Sequence, residues 1–159
     1  EEFVEPAVGA IVAGARTAQT DGLASSARER LGPRAHFLIE PPRERMPDIY
    51  RMGDVFALCS LKEMMPIALL EASASGLPCL VSTHPVVVWM TGPGGEGVRM
   101  EQPGALSRAL ETYVEPVRRA VKGDAARRHA VETFGKDVIV RQYMTMYGEV
   151  VRHARGGSP

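Results

Sequence analysis

Two short apolar runs, Asp54–Cys59 (DVFALC) and Pro78–Ser82 (PCLVS), flank one helix-forming stretch, and that arrangement leaves few folds open. Neither run alternates apolar with polar residues, so each reads as a strand buried on both faces, the mark of a parallel sheet covered by helices. The stretch between them predicts a helix over Pro66–Ser75. Pro66 suits a first turn, where a missing N–H costs nothing, and Gly76 with Pro78 ends it.

The same alternation runs along the chain. Ala10–Gly14 (AIVAG) reads as a strand, and Ser25–Leu31 as a helix stopped by Gly32-Pro33. His36–Ile39 (HFLI) is a second strand, Pro47–Met52 a short helix, and Gly97–Met100 (GVRM) a weaker last strand. Pro103 to His153 reads as helices with a break around Lys122–Asp124. The predicted class is α/β, a doubly wound, Rossmann-like parallel sheet over residues 1–150, with 151–159 as a disordered tail.

Composition removes several classes of function. Nineteen basic residues balance nineteen acidic ones, so no global field points to nucleic acid or an anionic membrane. Ile67–Leu80 is the longest apolar stretch, and Glu71, Gly76 and Pro78 interrupt it, so no transmembrane segment is expected. Cys59 and Cys79 lack metal-ligand spacing and read as buried free thiols, which fits a reducing compartment. The expected location is cytoplasmic, with peripheral contact at the inner membrane face left open. The start at Glu1 suggests that the natural chain begins further upstream.

The chemistry concentrates between Ser60 and Ser82, SLKEMMPIALLEASASGLPCLVS. Ligands of open parallel sheets bind at the carboxyl ends of strands, and Glu63 falls in the loop leaving one. Glu71 lies within the following helix, and its neighbours at helical spacing, Ile67, Ala68, Ala74 and Ser75, include no cation. Its carboxylate needs hydrogen-bond donors from elsewhere, and a ribose diol has two. The first N–H groups of the helix, on Ile67 and Ala68, suit a phosphate. From Pro66 to Glu71 the helix rises about 7 to 8 Å, so one segment can meet sugar, phosphate and ribose.

That segment resembles the E-x7-E signature of the family 4 retaining glycosyltransferases of the GT-B fold, typically S-x-x-E-G-F-P-x-x-x-L-E-A-x-A-x-G-x-P-V-V-x-S. The likeness covers roughly Ala10 to Met100, more loosely to Tyr147, and is that of the C-terminal, donor-binding domain. The resemblance implies that Glu63 contacts the donor sugar and is the catalytic glutamate, and that Glu71 holds the ribose. It assigns Met64, Met65, Pro66, Ile67 and Ala68 to sugar and phosphate. The base would lie near Ile39 and Glu40, with Arg16 at the same rim. The substrate would be a nucleoside diphosphate sugar, with no metal and no cofactor, and a hexosyl group would pass to a hydroxyl acceptor.

Met64-Met65 stands where the family has Gly-Phe, and Ile39 where glycine is common. The family's strand-loop-helix unit before AIVAG, with its phosphate-clamping Arg and Lys, has no counterpart in Glu1–Gly9. The N-terminal acceptor domain is likewise expected from elsewhere. The missing strand would be the central one, so a substitute strand or a rearranged order is expected. These departures keep a second reading open, a degenerate nucleotide-binding or assembly module without catalysis. A receiver or flavodoxin-like protein fits less well, since the first strand ends in no acidic cluster.

Other candidates have structural readings beside functional ones. His84, after the fourth strand, faces the ligand edge or makes local bonds. Gly92-Pro93-Gly94-Gly95 reads as a turn, without the Lys-Ser/Thr of a phosphate loop. Tyr143, Met144, Met146 and Tyr147 read as a packing stripe.

Overall fold

The computed structural model describes residues 8–156. They fall into two compact units, one up to Gly53 and one from Asp54 onward. Among the described residues every strand pairing is parallel, as the non-alternating runs imply; the burial expected of those runs holds for Cys79–Ser82, whereas Phe56–Leu58 stays partly exposed.

In the first unit β1 (Ala10–Gly14) pairs with β2 (Ala35–Ile39), Ala10 opposite Ala35 and Gly14 opposite Ile39. Helix α1 (Thr20–Leu31) joins them and starts well before the expected Ser25. Hydroxyls set that start: Thr17 N–H donates to Thr20 Oγ1 at 2.8 Å, and Gln19 N–H to Thr17 Oγ1 at 3.3 Å. Gly32 ends the helix with a φ of 57°, which only glycine adopts without strain. Helix α2 (Met46–Arg51) closes the unit. Among the described residues β1 pairs with β2 alone, and Ile11 and Val12 are exposed. Among the described residues no further strand pairs with β1 or β2; residues 1–7 lie outside the described set.

The second unit holds a three-stranded sheet in the order β3-β4-β5: β3 (Phe56–Leu58), β4 (Cys79–Ser82) and β5 (Gly95–Val98). β3 is shorter than Asp54–Cys59, and β5 begins two residues before Gly97. β4 is the middle strand, buried throughout. Helix α3 (Ile67–Ala74) connects β3 to β4, and α4 (Pro85–Thr91) connects β4 to β5. Nothing in PVVVWMT advertises a helix, since three consecutive valines favour a strand. Burial of Val87, Met90 and Thr91 overrides that preference.

The alternation of β4 shows how its two faces are covered. Cys79 Sγ and Ser73 Oγ of α3 lie 3.3 Å apart in a hydrogen bond. The next residue, Leu80, packs with Val98 of β5 and with Ala109 and Tyr113, from α5 (Ala105–Glu111) and the turn after it. Burial pushes the Cys79 thiol up to about 11. Cys59 departs from expectation: it lies past the end of β3 and is exposed.

Helix α6 (Pro116–Phe134) is continuous, with no break at Lys122–Asp124. Gly123 is there for closeness. A Cβ on it would lie 2.1 Å from the Gly76 carbonyl oxygen. Gly76, with a φ of 87°, closes α3: its N–H bonds Ser73 O, and Leu77 N–H bonds Ala72 O. Two cations of α6 reach the same end of the layer, Arg127 Nη1 to Ala74 O at 2.8 Å and Lys122 Nζ to Pro93 O at 3.0 Å. Helices that return between parallel strands end at the amino edge, so α6 braces that edge and the carboxyl edge is left to loops.

Helix α7 (Lys136–Gly156) includes residues expected in the disordered tail; only 157–159 lie outside the described set. Its Tyr143, Met144, Met146 and Tyr147 are exposed rather than a packing stripe. The two tyrosines stack on each other at 6.2 Å. Among the described residues no helix is long and apolar enough to cross a membrane.

Candidate functional site

The loop from Cys59 to Pro66 leaves the carboxyl end of β3 and returns as α3, so Glu63 and the α3 N-terminus share one edge of the sheet. Glu63 is half-buried, whereas Met64 is 89% exposed, with Met65 and Ile67 also open. Pro66 is the residue before the first helical one, in extended conformation, and α3 proper starts at Ile67. Leu69 N–H bonds the Pro66 carbonyl at 3.1 Å. The N–H groups of Ile67 and Ala68 come earlier and have no acceptor within the helix. Both residues are exposed, and the positive end of the helix dipole lies at the same edge.

Glu71 follows Ile67 by about one turn, or ~6 Å along the axis. It is half-buried, and its backbone carbonyl accepts from Ser75 Oγ at 2.8 Å. One inward side of α3, Leu69, Ala72 and Ser73, is buried and fixes the helix against the sheet. The segment therefore carries two half-buried glutamates and two N–H groups without a helical acceptor, on a helix held against the sheet. It can accept from hydroxyls and donate to an anion within one short span. Among the described residues no group of three or more His, Cys, Asp or Glu is placed to hold a metal ion.

Arg16, Ile39 and Glu40 belong to the first unit. Ile39 lines a cavity of about 170 Å³ with Val12, Gly14, Thr17, Leu23 and Phe37. Thr17 and Thr20 there carry hydroxyls that the sequence reading passed over. Arg16 is engaged with Asp21 at 2.7 Å, both side chains exposed. Glu40 has a φ of 49°, unusual for a side-chain-bearing residue, and its N–H bonds Gly14 O at 2.8 Å. Its placement is thus a backbone matter; the side chain is exposed.

Two more polar residues stand at the carboxyl end of β4. Ser82 Oγ and His84 Nδ1 are enclosed, and neither has a hydrogen-bond partner among the described residues. His84 was visible as an edge candidate; Ser82 was not, because a serine ending a strand carries no signal of its own.

A parallel α/β layer with its carboxyl edge open and a carboxylate in the loop before a helix N-terminus is the arrangement in which open α/β sheets hold their ligands. Residues 4–128 match the glycosyl transferases group 1 family, and the chain belongs to it. The D-inositol 3-phosphate glycosyltransferase of Streptomyces avermitilis is 33% identical over 151 residues, which is 91% of this chain and 32% of that protein. Sucrose-phosphate synthase from Thermosynechococcus elongatus superposes with a TM-score of 0.79 at 20% identity, covering 90% of this chain and 38% of that one. HepE of Anabaena, solved with UDP and glucose, gives 0.78 at 20% identity, covering 91% and 41%. The fold is that of the GT-B glycosyltransferases. The chain spans about a third of the length of the broadly matched curated relatives.

Proposed function

We propose that this chain is the donor-binding part of a retaining glycosyltransferase that moves a hexosyl group from a nucleoside diphosphate sugar to a hydroxyl acceptor. The observation that carries this reading is the pair of N–H groups without a helical acceptor at Ile67 and Ala68, at the same sheet edge as the half-buried Glu63. The two N–H groups bind the diphosphate and stabilise its charge as it leaves, which is where such donors act most strongly. Glu63 bonds the hydroxyls of the transferred sugar, Met64, Met65 and Pro66 shape the sugar and phosphate side, and Glu71 receives the ribose hydroxyls. The base site at Ile39, Glu40 and Arg16 rests on the family resemblance alone. HepE was solved with UDP and glucose, which makes UDP the first nucleotide to try. The substrate is the nucleoside diphosphate sugar, with no cofactor and no metal. An acceptor-binding domain outside these residues completes the enzyme, which works in the cytoplasm or at the inner membrane face.

One feature favours the second reading, an assembly module without catalysis. Met64 stands out into solvent where the family signature has glycine, and its bulk narrows the backbone's approach to a sugar. Calorimetry and turnover separate the two. The 159-residue chain is expected to bind UDP, GDP or ADP weakly and to transfer no sugar, because one wall of a cleft cannot hold two reactants at attack distance. A version extended to the length of its relatives is expected to turn over. Nucleotide binding by the extended protein without any turnover would favour the assembly module, and sustained turnover by the 159-residue chain alone would contradict the division of the active site.

A further inference from the structure

His84 and Ser82 sit in one turn at the end of β4, and both bury a polar atom that no described residue satisfies. Ser82 is 2% exposed, while the His84 ring is half-buried. Two other enclosed atoms lack partners, Arg118 Nε and His129 Nε2. Their side chains bond through other nitrogens, Arg118 to Glu96 and His129 to Thr133. The Ser82–His84 turn is therefore where two enclosed polar atoms lie close in sequence on side chains with no other described hydrogen bond. Buried polar groups nearly always have a partner, so two unused ones in one turn call for an explanation.

The topology places that turn beside Glu63. Leu58 pairs with Val81, so the chain segments leaving β3 and β4 emerge as neighbours at the carboxyl edge. Helices α3 and α4 then pack against each other. Their first residues follow Pro66 and His84, so these two positions stand about one helix spacing apart, roughly 10 Å. A short helix such as α4 brings no anion site of its own. What it brings to the edge is the imidazole.

We propose that His84 is a positioning residue that hydrogen-bonds a hydroxyl group of the substrate held at Glu63. This rests on the donor-site reading above. A neutral imidazole has one donor and one acceptor nitrogen, and a hydroxyl is both, so Nε2, the ring nitrogen that is not enclosed, can pair with it in either tautomer. A diphosphate only accepts, and the Ile67 and Ala68 N–H groups already serve it. The hydroxyl has two available sources, the transferred sugar and the acceptor.

Histidine ring signals in NMR test this, because the chain has only four histidines. The His84 signals are identified by their loss in His84→Asn. With the isotope-labelled chain, UDP alone is expected to shift the Ile67 and Ala68 amides and leave the His84 ring in place. One of UDP-, GDP- or ADP-glucose is expected to move the ring as well, if the hydroxyl is the sugar's. Movement only when myo-inositol is added to the nucleotide-bound chain assigns it to the acceptor. Amide shifts with a nucleotide sugar and a stationary His84 ring under every addition overturn the proposal and leave the donor site standing. No amide shift with any nucleotide overturns the donor-site reading itself, and the proposal with it. In the full-length enzyme, His84→Ala is expected to raise the KM of the substrate concerned about tenfold with little change in kcat, and His84→Gln to recover part of the loss. A purely structural role would lower the melting temperature of both variants and leave KM unchanged.

Discussion

In the full-length enzyme, Glu63→Ala is expected to reduce sugar transfer by about a hundredfold or more while UDP affinity stays within about twofold. Glu71→Ala is expected to do the reverse to binding, weakening UDP by about ten- to a hundredfold, the range for losing hydrogen bonds to a charged group. The difference follows from position. Glu63 lies in the exposed-edge loop before α3, and Glu71 one turn into the helix, past the phosphate donors. In the proposed donor pose the carboxylate before the helix meets the sugar side of the diphosphate, and the one beyond it the nucleoside side. Initial rates and calorimetry on both variants check the assignment, with thermal melts to show that each is folded. Equal loss of UDP affinity in the two would refute the division of labour.

Gly123→Ala is expected to have the largest effect on stability. In an open helix this change stabilises, by about 1 kcal/mol. Here the new methyl would lie 2.1 Å from the Gly76 carbonyl oxygen, with Pro78 behind it. Both neighbours are backbone or ring and cannot swing aside, so α6 must lift from the α3 terminus at a cost of about 3 kcal/mol. The overlap wins. The net loss of about 2 kcal/mol corresponds to a melting temperature lower by about 4 to 8 °C. Gly148, which has nothing within 4 Å of an added Cβ, serves as the control. Gly148→Ala is expected to hold or raise the melting temperature. An unchanged midpoint for Gly123→Ala would mean that α6 does not press on the turn at Gly76.

The same glycine shows where sequence reading fails. Gly123 looks like a helix breaker because local propensity is all the sequence displays, whereas its tertiary neighbour at Gly76 lies far along the chain. α4 was hidden for the same reason: three valines argue for a strand until the burial of Val87 and Met90 is known. The tyrosines and methionines of α7, Tyr143, Met144, Met146 and Tyr147, suggest packing, but the pattern cannot say whether a face has a partner. Other parts were legible because local chemistry decides them. Apolar runs without alternation gave the parallel strands, Gly32 and Gly76 gave two helix ends, and Pro66 marked the start of α3 to within one residue. The position of Glu63 at the carboxyl edge followed from that order alone. The unsatisfied Ser82 hydroxyl is a property of packing, and no spacing rule reveals it.

The most direct measurement is an amide NMR titration of the 159-residue chain with UDP, read at Ile67 and Ala68. Those two signals are expected to shift most, in a saturable way, and Glu71→Ala is expected to weaken the midpoint about tenfold or more. Saturable UDP binding that leaves both amides unmoved, or that Glu71→Ala does not affect, would contradict a donor site at the start of α3.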